Sequence, residues 1–563
     1  MMFKRYILLS VLTVMASISL SAQDWVREFG HREGDALITG LVTDSKDHVL
    51  ITGTFSSEEL VLAEGHVLKS KGMEDVFMVK YDPQGEIIWA QSFGGIKQDR
   101  VADIALDSQD NLYITGDFSS STLHIGGVEI SSIWPENVYV ASFDSSGDYR
   151  WLSKSGGLID DYGSGGTAVH CQGNGLVYFT GYTNSQELSF GDIGLSTNHA
   201  NRKGFYGSLD AEGNYLSAFL LGEDGEDQYE LHDITTDPEG NLYLAGKHTV
   251  HREPDPISYK EYWDIMYFCK SDSEGEMIWT AEDTAFYLGE KIIYNNNSLY
   301  VLGNREEYRS IFNGGTIDTT SSFFFGHLDT DGNRLMGRKV TGALAYGLYA
   351  DENRILVAGG LYLDHLEMDG TWLHRNSDSS SICPIYQDIF FFEADQSGHV
   401  GRADIISGSL EDAPTAIWLS SQGDLYYTGK FESASLRVEN NTLSNLSELS
   451  TFNHVSGTYY DRRQYSFLAR RKGFTIPVNI PIPSGTIFSI YPNPSSGMVQ
   501  IQPENLSGTA LLKVFDLRGH LLSEHVLDGG PVNLDFSGLG KGMFIVSLRE
   551  EGLAATSSLL IIH

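Results

Sequence analysis

Cysteine is nearly absent from this chain: three occur in 563 residues, at Cys171, Cys269 and Cys383. An odd count at such wide spacing builds no disulfide framework, and none of the three has a histidine or cysteine at metal-ligand spacing. Cys171 and Cys269 fall in strand-like runs and read as small buried hydrophobes, whereas Cys383 lies in a polar stretch and reads as an exposed thiol. Basic residues are scarce too, 38 against 75 acidic ones, which leaves a net charge of −37. A surface of that sign repels phosphate backbones and anionic headgroups, so nucleic acid is excluded as a partner. Its ordinary consequence is solubility outside the cell. Beyond the first residues no segment is apolar for long enough to cross a bilayer as a helix. Also missing are a Gly-x-Ser-x-Gly elbow, a phosphate loop, a dinucleotide fingerprint and His-Glu-x-x-His, so none of the enzymes those motifs announce is expected.

What is there begins with Lys4 and Arg5, an apolar run from Tyr6 to Ile18, and small residues at SLSA (19–22). That order predicts a secretory signal peptide over 1–22, cleaved after Ala22 or alternatively after Ser21, and it stands outside the fold. No cysteine follows the run, so no lipid anchor is expected there.

An eight-residue strand signal then recurs seven times: HVLITGTF (48–55), NLYITGDF (111–118), LVYFTGYT (176–183), NLYLAGKH (241–248), SLYVLGNR (298–305), RILVAGGL (354–361) and DLYYTGKF (424–431). Glycine holds the sixth place each time, as Gly53, Gly116, Gly181, Gly246, Gly303, Gly359 and Gly429. The period of roughly 63 residues points to a solenoid, propeller or array whose unit is all strand. In the second unit VADIALD (101–107), NLYITGDF, NVYVASFD (137–144) and YRWLSKSGG (149–157) are four short strands separated by turn residues, the content of one propeller blade. The turn after the third strand also repeats, with Asp82, Asp144, Asp210, Asp272, Asp329 and Asp395 each three residues before a glycine. Aspartate bonds the backbone two residues on, and glycine supplies the positive φ. Trp89, Trp151 and Trp279 open the next strand, where a large ring fills the wedge between blades. The seventh unit has AIWLSS, DLYYTGKF and YSFLARR (465–471) but no fourth strand; DWVREFG (24–30) matches the missing piece and is expected to close the ring.

The strands EGNLYLAG (239–246) and VFMVKYDPQGEIIW (76–89) resemble the bacterial β-propeller repeats of the SBBP type, a resemblance that covers about four fifths of the chain and implies fold more than function. Units five and six depart from it: tryptophan is absent after Gly332 and Gly398, and RILVAGGL lacks the Asn-Leu-Tyr opening. After a proline-rich extended linker, GFTIPVNIPIPSG (473–485), a different module follows. IFSIYPNPSSGMVQI (487–501), LLKVFDLRGHLL (511–522), VNLDFSGLGKGMFIVSL (532–548) and SLLIIH (558–563) resemble, in order and spacing, the type A carboxy-terminal sorting domain of the type IX (Por) secretion system. The residues that carry the likeness are Tyr491, Pro492, Asn493, Pro494, Asp516, Gly519 and Gly542. The resemblance implies a small Ig-like β-sandwich that the outer-membrane translocon recognises after export to the periplasm, and a source among the Bacteroidota. Ser557 and Ser558 stand where a lysine often precedes the last strand of that family. The expected organisation is therefore an all-β chain: signal peptide 1–22, a seven-bladed β-propeller over 23–474, linker 475–486 and sorting domain 487–563.

Several constellations invite chemistry and have plainer explanations. DTDGN (329–333) spaces carboxylates as a calcium loop does, but its counterparts in other units are DPQGE, DSSGD, DAEGN, DSEGE and DQSGH, and no glutamate holds the twelfth place. Calcium is the one ion left open; no cofactor is expected. SDSEGEMIW (271–279) has the wrong spacing for a sialidase aspartate box. Asp160 with Asp161, Glu58 with Glu59, and Glu223, Asp224, Glu226 and Asp227 are acid groups that glycoside cleavage would need, set in loops where charge is expected anyway. Arg462, Arg463, Arg470, Arg471 and Lys472 read as local charge partners, and His170, His232 and His248 as satisfied histidines on strands. The leading expectation is an exported or surface-attached, non-catalytic propeller that binds glycan or protein, with 487–563 engaging the secretion machinery. The aromatic-bearing stretches 248–263 and 366–381 are its first candidate ligand face. The rivals are a polysaccharide-degrading enzyme using the propeller channel and a structural surface-layer component.

Overall fold

The computed structural model describes residues 24–30, 34–472 and 488–562, apart from 64, 133–136, 158–162, 174, 197–200, 223–226, 253–260, 306–320, 364, 375–386, 446, 448–449, 455–456, 462, 492–497, 504–508, 516–520, 528–530, 540 and 551–555. The signal peptide and the linker lie outside the described residues, as do Cys383, Asp160, Asp161, Pro492, Asn493, Pro494, Asp516 and Gly519. The chain folds as two compact units, Met1–Phe474 and Thr475–His563. Both are β throughout; among the described residues the sole helical element is a single 3-10 turn, Ser537–Leu539.

The first unit has the architecture of a β-propeller. Its strands form antiparallel four-stranded meanders, the first being Ala36–Thr43, Val49–Phe55, Asp75–Tyr81 and Ile87–Phe93. Each copy of the glycine-bearing signal is the second strand of such a meander. Second and third strands are near-continuous apolar runs because they are covered on both faces; Val49–Phe55 and Asp75–Tyr81 are buried at every position. The fourth strand, Ile87–Phe93, keeps solvent on part of its length and accepts polar residues. The core is divided into wedges between neighbouring sheets. One wedge packs Tyr300, Phe323 and Phe325 of the fifth repeat against Val357, Phe390 and Phe392 of the sixth. Another packs Trp25, Tyr426 and Leu468 against Ile38, Ile51, Phe77 and Tyr81, joining the last repeat to the first.

Closure follows from the same wedge. Trp25–Phe29 pairs antiparallel with Tyr465–Arg471, from Trp25 opposite Arg470 to Phe29 opposite Ser466, and is the fourth strand of the sheet that holds Asp412–Leu419 and Leu425–Phe431. First strands touch in sequence around the unit, and Asp412–Leu419 lies against Ala36–Thr43. The tryptophans fasten neighbouring sheets in the same rotational sense. Trp25, Trp89, Trp151 and Trp279 lie over the turn glycines Gly85, Gly147, Gly213 and Gly332 of the following sheets, where a Cβ would come within 2.6–3.1 Å of the indole. Three of the indole N–H groups donate to a carbonyl in that turn, at Pro83, Ala211 and Thr330. Where tryptophan is missing, Phe219 covers Gly275, and Met336 with Arg338 covers Gly398.

Every first strand carries a β-bulge at the same place. The register slips between Ile38 and Gly40, Val101 and Asp103, Gly166 and Ala168, Leu231 and Asp233, Gly289 and Lys291, Ala345 and Gly347, and Pro414 and Ala416. The residue before each slip pairs with one of the seven repeat glycines, from Ile38 opposite Gly53 to Pro414 opposite Gly429. A Cβ on any of these glycines would meet the carbonyl oxygen just before the bulge, at 2.1 Å for Arg100 O over Gly116 and 2.9 Å for Ala413 O over Gly429. The glycine is thus required by close backbone approach in ordinary extended conformation.

Among the described residues, insertions between second and third strands form short hairpins: Glu59–Ala63 with His66–Lys69, Thr122–Ile125 with Val128–Ser131, Glu187–Phe190 with Ile193–Ser196, His365–Met368 with Thr371–His374, and Ser435–Val438 with Asn441–Ser444, the last followed by a further pair, Ser450–His454 with Gly457–Asp461. Their inward residues, such as Leu60, Leu123, Phe190, Met368 and Leu436, join the wedge cores. The hairpin Glu187–Ser196 pairs along the outer strand Tyr149–Gly157 of the preceding sheet and so covers a free edge.

The second unit has two sheets, Phe488–Tyr491, Met498–Pro503 and Val532–Asp535 in one and Leu521–Leu527, Ala510–Phe515, Gly542–Glu550 and Thr556–Ile562 in the other. Val499, Ile501, Leu512, Val514, Phe536, Phe544 and Val546 form its core. Tyr491 ends the first strand opposite Gln500, and Gly542 opens a strand opposite Ile562.

The bulge contact yields a direct test. Gly116→Ala is expected to lower unfolding stability by about 1–3 kcal/mol through overpacking against a carbonyl. Gly401→Ala, at a strand position with open space around it, is expected to stay within about 0.5 kcal/mol. Chemical denaturation of both variants decides, and equal effects would refute the close-approach account.

Candidate functional site

A bulge places one extra residue in each first strand, and these residues gather at one mouth of the central channel: Thr39, Ala102, Thr167, His232, Glu290, Tyr346 and Thr415. Bulges re-aim a side chain out of the pleat, and here several reach across to the next sheet. Thr39 Oγ1 donates to Val101 O at 3.0 Å and Thr167 Oγ1 to Leu231 O at 2.8 Å. The ring divides into two chemically different arcs.

The first arc, on the sixth, seventh and first repeats, encloses a cavity of about 580 Å³. Leu37, Ile38, Ala413 and Pro414 give it an apolar wall, and Tyr346, Tyr362, Gln387, Glu411, Lys430 and Gln464 supply its polar groups, with Thr39 and Thr415 between. These groups are tied to one another. Lys430 Nζ lies 3.2 Å from Glu411 Oε1, Gln387 Nε2 donates to the same oxygen at 3.3 Å, and the Tyr346 hydroxyl donates to Gln387 Oε1 at 3.3 Å. The cavity therefore presents amides, phenols and hydroxyls around a neutralised charge pair, with a carbon-lined wall opposite.

The second arc, on the fourth and fifth repeats, is ionic. Glu230 Oε2 is 2.9 Å from Arg202 and 3.5 Å from Lys247, and Glu230 Oε1 is 3.6 Å from His232 Nε2. His232 Nδ1 is 4.0 Å from Glu290, which also accepts from Asn304 Nδ2 at 2.9 Å. Burial by itself would raise the Glu230 carboxyl, but His232, Arg202 and Lys247 outweigh it and bring it down to about 2. Burial likewise opposes charge on His232, and Glu230 with Glu290 reverses that and holds the imidazolium to about 9. One step further along the first strands, Asp103, Asp233 and Lys291 form a charged trio. Asp103 Oδ2 accepts from Val169 N at 3.0 Å and Asp233 Oδ2 from Ile292 N at 2.8 Å, each in the next sheet. Burial pushes the Asp103 carboxyl up to about 6 against the pull of Lys291, whose own ammonium is stabilised first by Asp233.

The residues singled out in the sequence fall into three groups. The seven glycines form a layer just behind the mouth and create the bulges without touching the cavity. The turn aspartates are spent on their own turns: Asp329 Oδ1 accepts from Asp331 N and Asn333 N at 3.0 and 2.8 Å, and its Oδ2 accepts from Asn333 Nδ2 at 2.9 Å. Most of the remaining charges are paired. Glu59 meets Lys69, Asp227 meets His248, Arg463 meets Asp35, and Arg471 lies between Asp404 and Glu439. Arg470 pairs with Asp424. His248 also bonds Glu282 at 2.7 Å and stacks on Tyr229, while half-buried His170 has its imidazole lowered by desolvation to about 4. Cys269 is buried and Cys171 half-buried.

No local sequence signal marks the cavity or its lining. Tyr346, Gln387, Glu411 and Gln464 sit in unlike contexts along the chain, and only the bulges and ring closure bring them together. The hairpins do carry a signal, one absent from the expectations above: LVLAEGHVL (60–68), LHIGGVEI (123–130), LSFGDIGL (188–195), LEMDGTWL (366–373) and LRVENNTL (436–443) share alternating apolar residues around a tight turn.

The ionic arc has a pH signature. His232 carries a folded-state value above the roughly 6.5 of a free histidine, so its contribution is complete below about 6.5 and disappears as pH rises through about 9. The stability difference between the unsubstituted protein and His232→Gln is expected to be large in mildly acidic solution and to shrink toward zero in alkali. A difference that does not change with pH in denaturation curves would refute this pairing.

Residues 489–563 match the family described as the secretion system C-terminal sorting domain. Among curated proteins, the chain is 26% identical over 138 residues to the uncharacterized WD repeat-containing protein L264 of Acanthamoeba polyphaga mimivirus, covering 22% of this chain and 10% of that protein. It is 28% identical over 159 residues to the regulatory protein FlaEY of Caulobacter vibrioides, covering 28% and 15% respectively. The chain thus spans a small part of either relative's length. Among solved structures it is similar to PorZ, an essential bacterial surface component of the type-IX secretion system of Porphyromonas gingivalis, with 12% identity, TM-score 0.23 and coverage of 94% of this chain and 82% of that one. It is also similar to a fungal alcohol oxidase in complex with copper, with 10% identity, TM-score 0.34 and coverage of 96% and 99%. The carboxy-terminal module is a type IX secretion sorting domain, and the protein that carries it is one delivered to the cell surface or beyond.

Proposed function

We propose that this chain is a non-catalytic glycan-binding module, a seven-bladed propeller of SBBP-type repeats displayed outside the cell after type IX export. The observation that carries the reading is the mouth cavity. Its size falls within the range of small-molecule sites, roughly 300–1,000 Å³. Two tyrosines, two glutamines and two threonines give it the donors and acceptors that a ring of hydroxyls needs. The apolar wall gives the carbon face of a sugar somewhere to rest. A cell-surface protein presenting an amide-rich loop is the other ligand this lining would accept.

The state of the carboxylates supports binding over cleavage. Glycoside hydrolysis needs two carboxyl groups about 5–10 Å apart and at liberty to exchange protons. The described carboxylates of the mouth are each engaged: Glu230 by Arg202, Lys247 and His232, Glu290 by His232 and Asn304, and Glu411 by Lys430 and Gln387. A carboxylate held at about 2, as Glu230 is, serves poorly as a general acid. The chain needs the sorting domain to reach its ligand, and residues 487–563 engage the secretion machinery.

Two measurements test this reading. The purified full chain is expected to bind one or more members of a polysaccharide panel without releasing reducing ends, and to bind equally well with chelator present. Tyr346→Ala is expected to weaken that binding about tenfold, the loss of one aromatic contact with its hydrogen bond. Release of reducing ends would overturn the non-catalytic reading, and loss of binding under chelation would install calcium in the site. In a type IX-competent bacterium, a chain lacking 487–563 is expected to stay in the periplasm; its arrival at the surface would overturn the assignment of the export route.

A further inference from the structure

The two arcs of the mouth meet at Asn304. It is buried in the second strand of the fifth sheet, Ser298–Arg305, next to the repeat glycine Gly303. The repeat does not call for an amide there: the same place in the other copies holds Thr54, Asp117, Tyr182, Lys247, Gly360 and Lys430. Both ends of the Asn304 carboxamide are engaged. Oδ1 accepts from Ala345 N at 3.0 Å, and Nδ2 donates to Ala345 O at 2.7 Å and to Glu290 Oε1 at 2.9 Å. Ala345 is the residue before the bulge of the sixth sheet, and the extra residue that follows it is Tyr346. The carboxamide therefore grips, by both of its backbone polar groups, the residue from which Tyr346 is turned into the cavity.

This grip has a counterpart across the ring. Ser466 Oγ accepts from Ile38 N at 3.2 Å and donates to Ala36 O at 2.7 Å, beside the bulge residue Thr39. In the fifth sheet the place of Ser466 is taken by Phe323, which lies opposite Asn304 as Ser466 lies opposite Lys430. A phenyl ring has no polar group to offer, and the carboxamide of the neighbouring strand supplies the clasp instead. Contacts continue on both sides of it. Glu290, the bulge residue of the fifth sheet, lies 4.0 Å from His232, the bulge residue of the fourth. On the other side the Tyr346 hydroxyl donates to Gln387, Gln387 donates to Glu411, and Glu411 meets Lys430. One connected line of polar contacts runs from the ionic arc into the cavity.

We propose that Asn304 is a positioning residue for ligand binding: it fixes Tyr346 in the mouth cavity and anchors it to the ionic arc through Glu290. The proposal rests on the glycan reading given above and adds to it a residue that sets affinity without lining the cavity. A side chain already held in its binding position loses less freedom when a ligand arrives, so the clasp contributes affinity through Tyr346.

The test is calorimetric titration of the full chain with the hexasaccharides of cellulose, xylan, chitin and mannan. For whichever binds, Asn304→Ala is expected to weaken binding about fivefold, the worth of about one hydrogen bond. In a Tyr346→Ala background the same substitution is expected to weaken binding no further, while it lowers the thermal melt in both backgrounds alike. Asn304→Asp keeps the shape and gives a second readout. The charged and titratable groups around that position are Glu290, with His232 and Lys291 behind it, and Tyr346 from the sixth sheet. Burial beside Glu290 favours the neutral form of the introduced carboxyl, and only that form retains a donor. Its affinity is expected to match that of the unsubstituted chain in mildly acidic solution and to fall toward neutrality, while the unsubstituted chain stays constant over that interval. Unchanged affinity in Asn304→Ala, or equal losses with and without Tyr346, would overturn the positioning role and leave the cavity reading intact. Parallel pH profiles for Asn304→Asp and the unsubstituted chain would overturn it too, and this arm decides if Asn304→Ala does not fold. No binding of any of these sugars by the unsubstituted chain would overturn the glycan reading and this role with it.

Discussion

Seven times in the first unit a carbonyl oxygen of an inner strand presses against the α-carbon of a glycine in the strand beside it. The contact leaves no room for a Cβ, as at Gly116 beneath Arg100 O and Gly359 beneath Leu344 O. Because the approach sits at a bulge, it does two things together. It bends and twists each inner strand as the channel wall requires, and it turns one extra side chain of every repeat toward the mouth. A repeat scaffold can then vary that side chain freely. Thr39, His232, Glu290 and Tyr346 occupy equivalent places with unrelated chemistry, and the sheets behind them stay alike.

The rest of the unit manages the consequences of building from small sheets. Each meander has two edges and two apolar faces, and alone none would be stable. Faces are covered by wedge cores shared between neighbours, and turns are capped by an indole or its substitute from the preceding sheet. The ends of the chain are joined by Trp25–Phe29 pairing with Tyr465–Arg471, so the last wedge is as full as the others. Hairpins inserted after the second strands fill the outer rim with alternating Leu, Ile, Met or Val on their inner side. That inner face is fixed by packing, and the outer face varies, with Trp372 in one hairpin where others hold Val67, Glu129, Gly194 or Thr442.

Charge is arranged with similar economy. The chain is strongly acidic, yet at the channel mouth acids face basic partners, and Glu230 and His232 hold each other in ionised form.

The strand content, the seven repeats, the turn aspartates with their glycines and the sorting module were legible in the sequence, because each depends on residues close together in the chain. NLYITGDF is a strand whatever its neighbours are, DSSGD is a turn by its own hydrogen bonds, and the terminal module retains its residue order. Even the missing fourth strand of the last sheet left a mark, since DWVREFG carries the pattern of its counterparts. The reason for the glycines was not legible: the repeat sets a glycine inside each strand signal without saying why, whereas the structure shows extended backbone against a neighbouring carbonyl. The cavity was not legible either, because Leu37 and Gln464 are brought together only when the ring closes, and Tyr346 faces the mouth only because its strand is bulged. Local hydrogen bonding and side-chain alternation are written residue by residue; a site made from the ends of separate sheets exists only once tertiary packing has set their distance and their register.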